Sequence, residues 1–223
     1  DISGDWSVTD GSGDLVIGDK WDYYYYPKAG DSLATITGTL EQYNGTYLLM
    51  PRLARDVVEA GPYTRVQRIQ QVLGSALYMT PQDGSLDASY MIGDTVTFIG
   101  IVTVPVSELS SIDTTDTPWT GYMRFNWQDP NGGPYSGIMS YYGDPTAFPI
   151  LFEGDSIIIT GRIDRYRWFT EMWITEPIQL VAANAHITEP PLLSTGDLRL
   201  PITADQWELS MVRLANVTVI NNS

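Results

Sequence analysis

Gly154-Asp155-Ser156-Ile157-Ile158-Ile159-Thr160-Gly161 places a turn-forming pair ahead of an apolar, β-branched run that closes on a glycine. The phrase recurs as Gly93-Asp94-Thr95-Val96-Thr97-Phe98-Ile99-Gly100. It stands once more, one residue longer, as Gly30-Asp31-Ser32-Leu33-Ala34-Thr35-Ile36-Thr37-Gly38. In each copy the Gly-Asp pair supplies a turn, the run favours a strand, and the last glycine marks a bend. The extra residue in the Gly30 copy predicts a β-bulge.

Working outward from the later copies gives a set of strands. Thr95 to Val104 reads as one strand and Gly121 to Gln128 as a second. The turn Asp129-Pro130-Asn131-Gly132-Gly133 leads to a third at Ser136 to Tyr142. Ser156 to Tyr166 is the fourth and Trp168 to Val181 the fifth. Helical periodicity is confined to Val66 to Leu73, ended by Gly74. The fold class is therefore all-β, and five strands with a bent first one suit a small Greek-key barrel of the OB type. The expected division is an incomplete barrel at 1–60, a linker with a short helix at 61–87, and a complete barrel at 88–185. A Pro-containing linker at 186–206 and a terminal strand at 207–223 follow.

The first 60 residues repeat the strand order but begin late. Trp6 to Thr9 matches the second strand, Leu15 to Asp19 the third, Ser32 to Gln42 the fourth and Tyr47 to Val58 the fifth. The first strand is missing there. A segment of that character stands at the other end, from Trp207 to Ile220, apolar in part on both faces, as a central strand is. The predicted donor side chains are Trp207, Leu209, Met211, Val212, Leu214, Val217 and Val219. The predicted acceptor side chains are Trp6, Val8, Leu33, Ile36, Leu40 and Leu48.

These residues carry a likeness. The chain resembles the tandem OB-fold repeats of bacterial exported proteins, which often stand beside nuclease domains or surface-sorting tails. The matching segments are Gly93 to Val96 through Val102-Thr103, Ser136 to Met139 and Gly154 to Gly161. Thr170-Glu171, Ser194 to Leu198 and Trp6 to Gly13 match as well. The resemblance spans most of the chain and contains no catalytic motif. It implies an extracellular, modular setting. In such repeats a strand like Met211 to Ile220 runs directly into a segment like Asp1 to Gly13, so the chain reads as a permuted unit.

An open barrel leaves a slot that the terminal strand fills within its own chain, in a neighbouring chain, or in a longer covalent array. Insertion into a neighbour is a heterologous contact that propagates head to tail. Burying five or six apolar side chains is worth on the order of 10 kcal/mol gross. The stiff Thr188-Glu189-Pro190-Pro191 spacer disfavours folding back. The expectation is an extracellular or cell-surface structural protein, a homopolymer and not an enzyme. The alternative is a non-catalytic OB-fold module that binds nucleic acid or glycan for a secreted enzyme.

The chain has 27 acidic and 12 basic residues, a net charge of −15, which opposes nucleic-acid binding. Arg162, Arg165 and Arg167 are the only local basic cluster. With no Cys there is neither a disulfide framework nor a thiolate metal site. No apolar run reaches the roughly 18 residues of a membrane span, and the opening at Asp1 suggests a removed leader. No cofactor and no metal is expected. His186 stands alone in a linker. Glu171 and Glu176 lie an odd number of residues apart, on opposite faces of a regular strand. Asp10, Asp14 and Asp19 read as turn chemistry sooner than as a Ca²⁺ loop. Tyr23 to Tyr26, Trp168-Phe169 and Trp173 read as packing aromatics, though OB barrels also use aromatics to stack bases or sugars. Asn44, Asn216 and Asn221 head glycosylation triplets, Asn44 at a hairpin tip, so glycans are candidate attachments.

Overall fold

A computed structural model describes residues 5–18, 20, 27, 29–52, 56–70, 89, 91–105, 123–142, 149–166 and 169–220. The chain divides into two compact units, Asp1–Tyr63 and Thr64–Ser223.

Unit 2 contains a closed barrel. Its strands are β7 (Thr95–Val104), β8 (Met123–Gln128), β9 (Gly137–Tyr142), β10 (Ser156–Tyr166) and β11 (Phe169–Ile174). They run in the order β11-β9-β8-β7-β10, and β10 pairs back onto β11 to close the ring. All neighbours are antiparallel except β9 and β11, an OB-type order in keeping with the five strands read from the sequence. The predicted fifth strand ends sooner than expected, and β12 (Gln179–Ala182) returns to pair with the start of β10. Pro177 separates the two, having no N–H for a ladder. Inside, Phe98, Val102, Phe125, Trp127, Ile138, Ile157, Ile159, Ile163 and Met172 are fully buried. The Trp127 indole N–H donates to Ser140 Oγ at 2.8 Å, so the largest core side chain carries no unmet donor. Gly100 and Gly161 mark the bends: an added Cβ at Gly100 would run into the Trp127 ring, and one at Gly161 would meet the Trp173 carbonyl oxygen at 2.5 Å.

Residues expected to form a linker belong to this unit for a physical reason. Val66, just before the single-turn helix α1 (Gln67–Gln70), and Ile69 within it are both fully buried in the barrel core. Arg65 pairs with Asp129 at 3.2 Å, both side chains buried. The rest of the predicted helix, 71–73, lies outside the described residues.

Unit 1 has β1 (Trp6–Thr9), β2 (Asp14–Ile17), β3 (Leu33–Ile36), β4 (Thr39–Tyr43), β5 (Thr46–Met50) and β6 (Val57–Glu59). One sheet runs β1-β2-β5-β4, with β2 and β5 parallel, and a second pairs β3 with β6. The strand expected over Ser32 to Gln42 is split at Thr37-Gly38, and the one over Tyr47 to Val58 is split after Met50, where Pro51 follows. Leu33 pairs with Glu59 and Thr35 with Val58, so the extra residue of the Gly30 copy, Ala34, is a bulge. Asn44 and Gly45, at φ 49° and 82°, make the tight turn that joins β4 to β5.

The C-terminal stretch departs from a continuous strand. α2 (Pro201–Ala204) leads into a 3₁₀ turn at Asp205–Trp207, and Leu209 adopts φ 58°. Among its described residues only β14 (Arg213–Leu214) is strand, paired in parallel with β13 (Leu192–Leu193). Local hydrogen bonds account for the break, since Glu208 N–H donates to the Asp205 carbonyl and Ser210 N–H to that of Trp207. No helix among the described residues is long and apolar enough to cross a membrane.

Candidate functional site: an open barrel edge and an outer-face cleft

The pairing registers align the two units residue by residue. In unit 2 one row across the sheet reads Phe125, Ser140, Met172 and Ile163. In unit 1 the matching row reads Trp6, Ile17, Leu49 and Leu40. Val8 and Leu15 occupy the places of Trp127 and Ile138. Counting back from Gly38 and Gly161, with Ala34 as the extra residue, sets Leu33 and Ile36 against Ile157 and Ile159.

Aligned in this way, the two cores differ. Phe125, Trp127, Ile138, Ile157, Ile159, Ile163 and Met172 are all fully buried. Their counterparts Trp6, Val8, Leu15, Leu33, Ile36 and Leu49 are only partly buried, around a core of Ile17 and Val57. Leu40, in the place of Ile163, is 62% exposed. In unit 2 strand β7 bridges the rims, pairing with β8 on one side and β10 on the other. In unit 1 the equivalents of those rims are β1, which ends its sheet, and β3, and no strand joins them among the described residues.

Of the predicted acceptor side chains, Trp6, Val8, Leu33, Ile36 and Leu40 fall on this core row set. Leu48 does not: it shares the outer face with Val16, and Leu49 is the core-facing neighbour. Strand alternation explains the slip, since adjacent residues point to opposite faces.

The predicted donor side chains separate into two groups. Trp207, Leu209, Met211 and Val212 are partly buried in unit 2. There Tyr135 N–H donates to the Gln206 carbonyl, Gly137 N–H to Ser210 Oγ at 2.9 Å, and Met211 N–H to Gln128 Oε1 at 3.4 Å. Gly137 is required for this seat, because a Cβ there would collide with the Leu209 carbonyl. Beyond it the chain is exposed: Leu214, then Val217 at 59%, Val219 at 80% and Ile220 at 96%.

A second feature lies on the outer face of the unit 2 barrel. Arg124, Met139, Tyr141, Tyr166, Glu171 and Trp173 line an open cleft of about 470 Å³. Two cross-strand rows build it: Arg124, Tyr141, Trp173 and Arg162 in one, and Asn126, Met139, Glu171 and Asp164 in the next. Tyr141 and Trp173 meet edge to face with centroids 4.7 Å apart. Glu171 is buried, and burial pushes its carboxyl up to about 7; Asp164, directly opposite across the strand pair, adds to the rise. The hydrogen bond from Tyr141 and the charge of Arg124 pull it the other way. Tyr141 is held well above its ordinary value by burial and by the Glu171 and Asp164 charges.

The remaining sequence candidates stay apart. His186 is exposed in the linker, and Glu176 is exposed beyond the end of β11 while Glu171 is buried. Asp10 accepts from Ser12 N at 2.9 Å and from Ser12 Oγ at 2.6 Å, which holds the β1–β2 turn and lowers its carboxyl. Among the described residues no group of three His, Cys, Asp or Glu side chains is placed to hold a metal ion. Asn44 and Asn216 are exposed, both at positive φ. Asn221, Asp19, Tyr23 to Tyr26, Arg167 and Trp168 lie outside the described residues. Trp173, read from sequence as a packing aromatic, faces the cleft. The sequence reading missed Arg124, Tyr141 and Tyr166; comparing the outer-face positions of the two repeats is the signal that finds them.

No protein-family model matches the chain, and no curated protein is similar to it. A solved structure described as "Structure of murine DNA binding protein bound with ds DNA" is similar over 78% of this chain and 81% of that chain, at 9% identity and a TM-score of 0.28, a level at which the likeness carries no inference.

Proposed function

We propose that the protein is a structural subunit that assembles head to tail, the exposed C-terminal segment of one copy completing the open barrel of the next. The observation that carries this reading is the half-buried core of unit 1 beside its sealed twin in unit 2. Residue for residue, the difference traces to the place that β7 fills. A hydrophobic row left partly wet favours any strand that covers it, and a sheet rim offers main-chain partners to that strand.

The occupant is the segment from Arg213 to Ile220 of a second copy, whose first two residues give up their pairing with β13 to enter the slot. It carries Leu214, Val217, Val219 and Ile220, all exposed in the single chain. Eight extended residues reach about 26 Å, a length comparable with the ordinary strand. Residues 205–212 are seated on unit 2 and hold the base of the segment. The repeat logic supports the same match, since this segment has the character of a first strand and the described residues of unit 1 hold none. The donor and acceptor are different segments of the chain, so the contact is heterologous and builds a chain of subunits unless it closes into a ring. The resemblance to repeats of exported proteins supports a location outside the cell.

The test is electron microscopy and light scattering of the full chain beside a chain ending at Val212. The full chain should form filaments or a ladder of oligomers, and the shortened chain should stay monomeric. A synthetic peptide of residues 211–220 should bind the shortened chain and raise the unfolding temperature of unit 1. A full chain that stays monomeric at high concentration, with no peptide binding, overturns the reading.

A further inference from the structure

The cleft on the outer face of unit 2 is not a product of the fold, because unit 1 has the same fold without it. Where unit 2 has Asn126, Met139, Glu171 and Asp164, unit 1 has Ser7, Val16, Leu48 and Glu41. Where unit 2 has Tyr141, Trp173 and Arg162, the same registers give Gly18, Met50 and Thr39. Gly18 leaves no room for a side chain, since an added Cβ would collide with Met50 Sδ. So the ring pair of unit 2 is replaced in unit 1 by a glycine pressed against a methionine. One barrel closes this face with aliphatic contacts; the other opens it and lines it with aromatic and charged groups.

The cost to unit 2 is visible. Glu171 is buried directly opposite Asp164, a like-charge pair that disfavours the strand pairing. Asn126, in the same row, has a buried Oδ1 with no hydrogen-bond partner among the described residues. A leucine and a serine at these places serve the same fold in unit 1. A buried carboxyl beside an aromatic pair, in a cleft within the roughly 300–1,000 Å³ range of small-molecule sites, with an unmet amide oxygen in the adjoining cross-strand row, has the features of a recognition surface.

We propose that this cleft binds an uncharged sugar ring. The chemistry of the lining selects the class. Trp173 and Tyr166 line the cleft with aromatic rings, the surface on which the apolar C–H side of a pyranose stacks, and Tyr166 is about half exposed. Arg124 and Glu171 bring a donor and a carboxyl to the same cleft, the pairing that hydroxyl groups use as both acceptor and donor. A polyanion is opposed by the carboxyls of Glu171 and Asp164 and by the net charge of −15. A quaternary ammonium ion suits an aromatic cage, but the Arg124 guanidinium stands in this one. A neutral, hydroxylated ring satisfies every group present.

The experiment is saturation-transfer NMR on the full chain with cellobiose, maltose, N,N′-diacetylchitobiose and methyl β-galactoside as sugar probes. Oligothymidylate and tetramethylammonium serve as the competing classes. At least one sugar should receive saturation through its ring protons. Its affinity should fall at least tenfold in Tyr166→Ala and in Arg124→Ala, both exposed positions whose loss leaves the core intact. Tyr43→Ala, the matching position of unit 1, should leave affinity unchanged. The proposal is overturned by no transfer to any of the four sugars, by binding that survives both substitutions, or by binding of oligothymidylate or tetramethylammonium alone. None of these readouts depends on whether copies assemble.

Discussion

Unit 1 and unit 2 are two versions of one barrel whose registers match across every shared strand, yet they spend their hydrophobic residues differently. Unit 2 has its own first strand and buries Phe125, Trp127 and Ile163 completely. Unit 1 has smaller or wetter counterparts: Val8 where unit 2 has Trp127, and Leu40 mostly exposed where unit 2 has Ile163. The contrast separates what the topology demands from what each barrel adds. The bend glycines Gly38 and Gly161 belong to the topology, because at both an added Cβ would meet a carbonyl of the crossing strand, Met50 or Trp173, at 2.5 Å. The aromatic cleft and the open core are additions, one to each unit.

The largest effect should come from the core itself. Trp127→Ala empties a fully buried site and should cost about 3–5 kcal/mol in denaturant unfolding of unit 2. Val8→Ala, at the matching place, should cost about 1 kcal/mol in the single chain, since the site is already partly wet. A cost at Val8 as large as that at Trp127 would mean that unit 1 is sealed in solution.

Next come the shared glycines. Gly38→Ala and Gly161→Ala should each destabilise their own unit by about 3 kcal/mol, the upper end of overpacking, because the obstacle is backbone that cannot swing away. Unequal costs would show that the two bends are not equivalent.

The third effect is a pH dependence confined to unit 2. The native Glu171 carboxyl, pushed up to about 7, keeps its proton where the unfolded chain gives it up. Between about pH 4.5 and 7 the native state therefore binds more protons, and stability falls as pH rises, by on the order of 2 kcal/mol after allowing for solvent screening in the open cleft. The contribution is full at the acid end of that window and gone above it. Glu171→Gln should flatten the slope in thermal melts recorded across the window, and Leu48→Gln in unit 1 should introduce none. The smallest effect is at the unit 1 hairpin, where Asn44→Ala should cost about 1 kcal/mol, because a residue with φ 49° strains most side chains and Asn tolerates it.

Much of this fold was legible from local patterning. The Gly-Asp phrase and the run of β-branched residues set β7 and β10 at their observed ends, and the extra residue of the first copy proved to be the Ala34 bulge. Alternation also identified most of the core-facing row of unit 1. It failed at Leu48, where two adjacent leucines gave no indication of which faces in. The C-terminal strand was overextended because composition cannot register Ser210 giving its hydroxyl to Gly137 or Leu209 turning to positive φ. The cleft was harder still: Arg124, Tyr141 and Trp173 come from three different strands and meet only through cross-strand register, which no single stretch of sequence displays.

The Ala34 bulge has a wider implication. An exposed sheet rim invites indiscriminate pairing, and a cell crowded with β-rich chains offers many unwanted guests. A bulge shifts the spacing of main-chain donors and acceptors by one residue partway along β3. A regular strand laid on that rim falls out of step with it, while β1 on the opposite rim runs only four residues before its turn. If a strand of a second copy fills the slot as proposed, the two rims together would act like a lock with one offset pin, and that strand would have to carry the matching irregularity to seat on both. Fidelity of pairing would then be written into the backbone spacing, leaving the side chains of the guest to set only how long it stays.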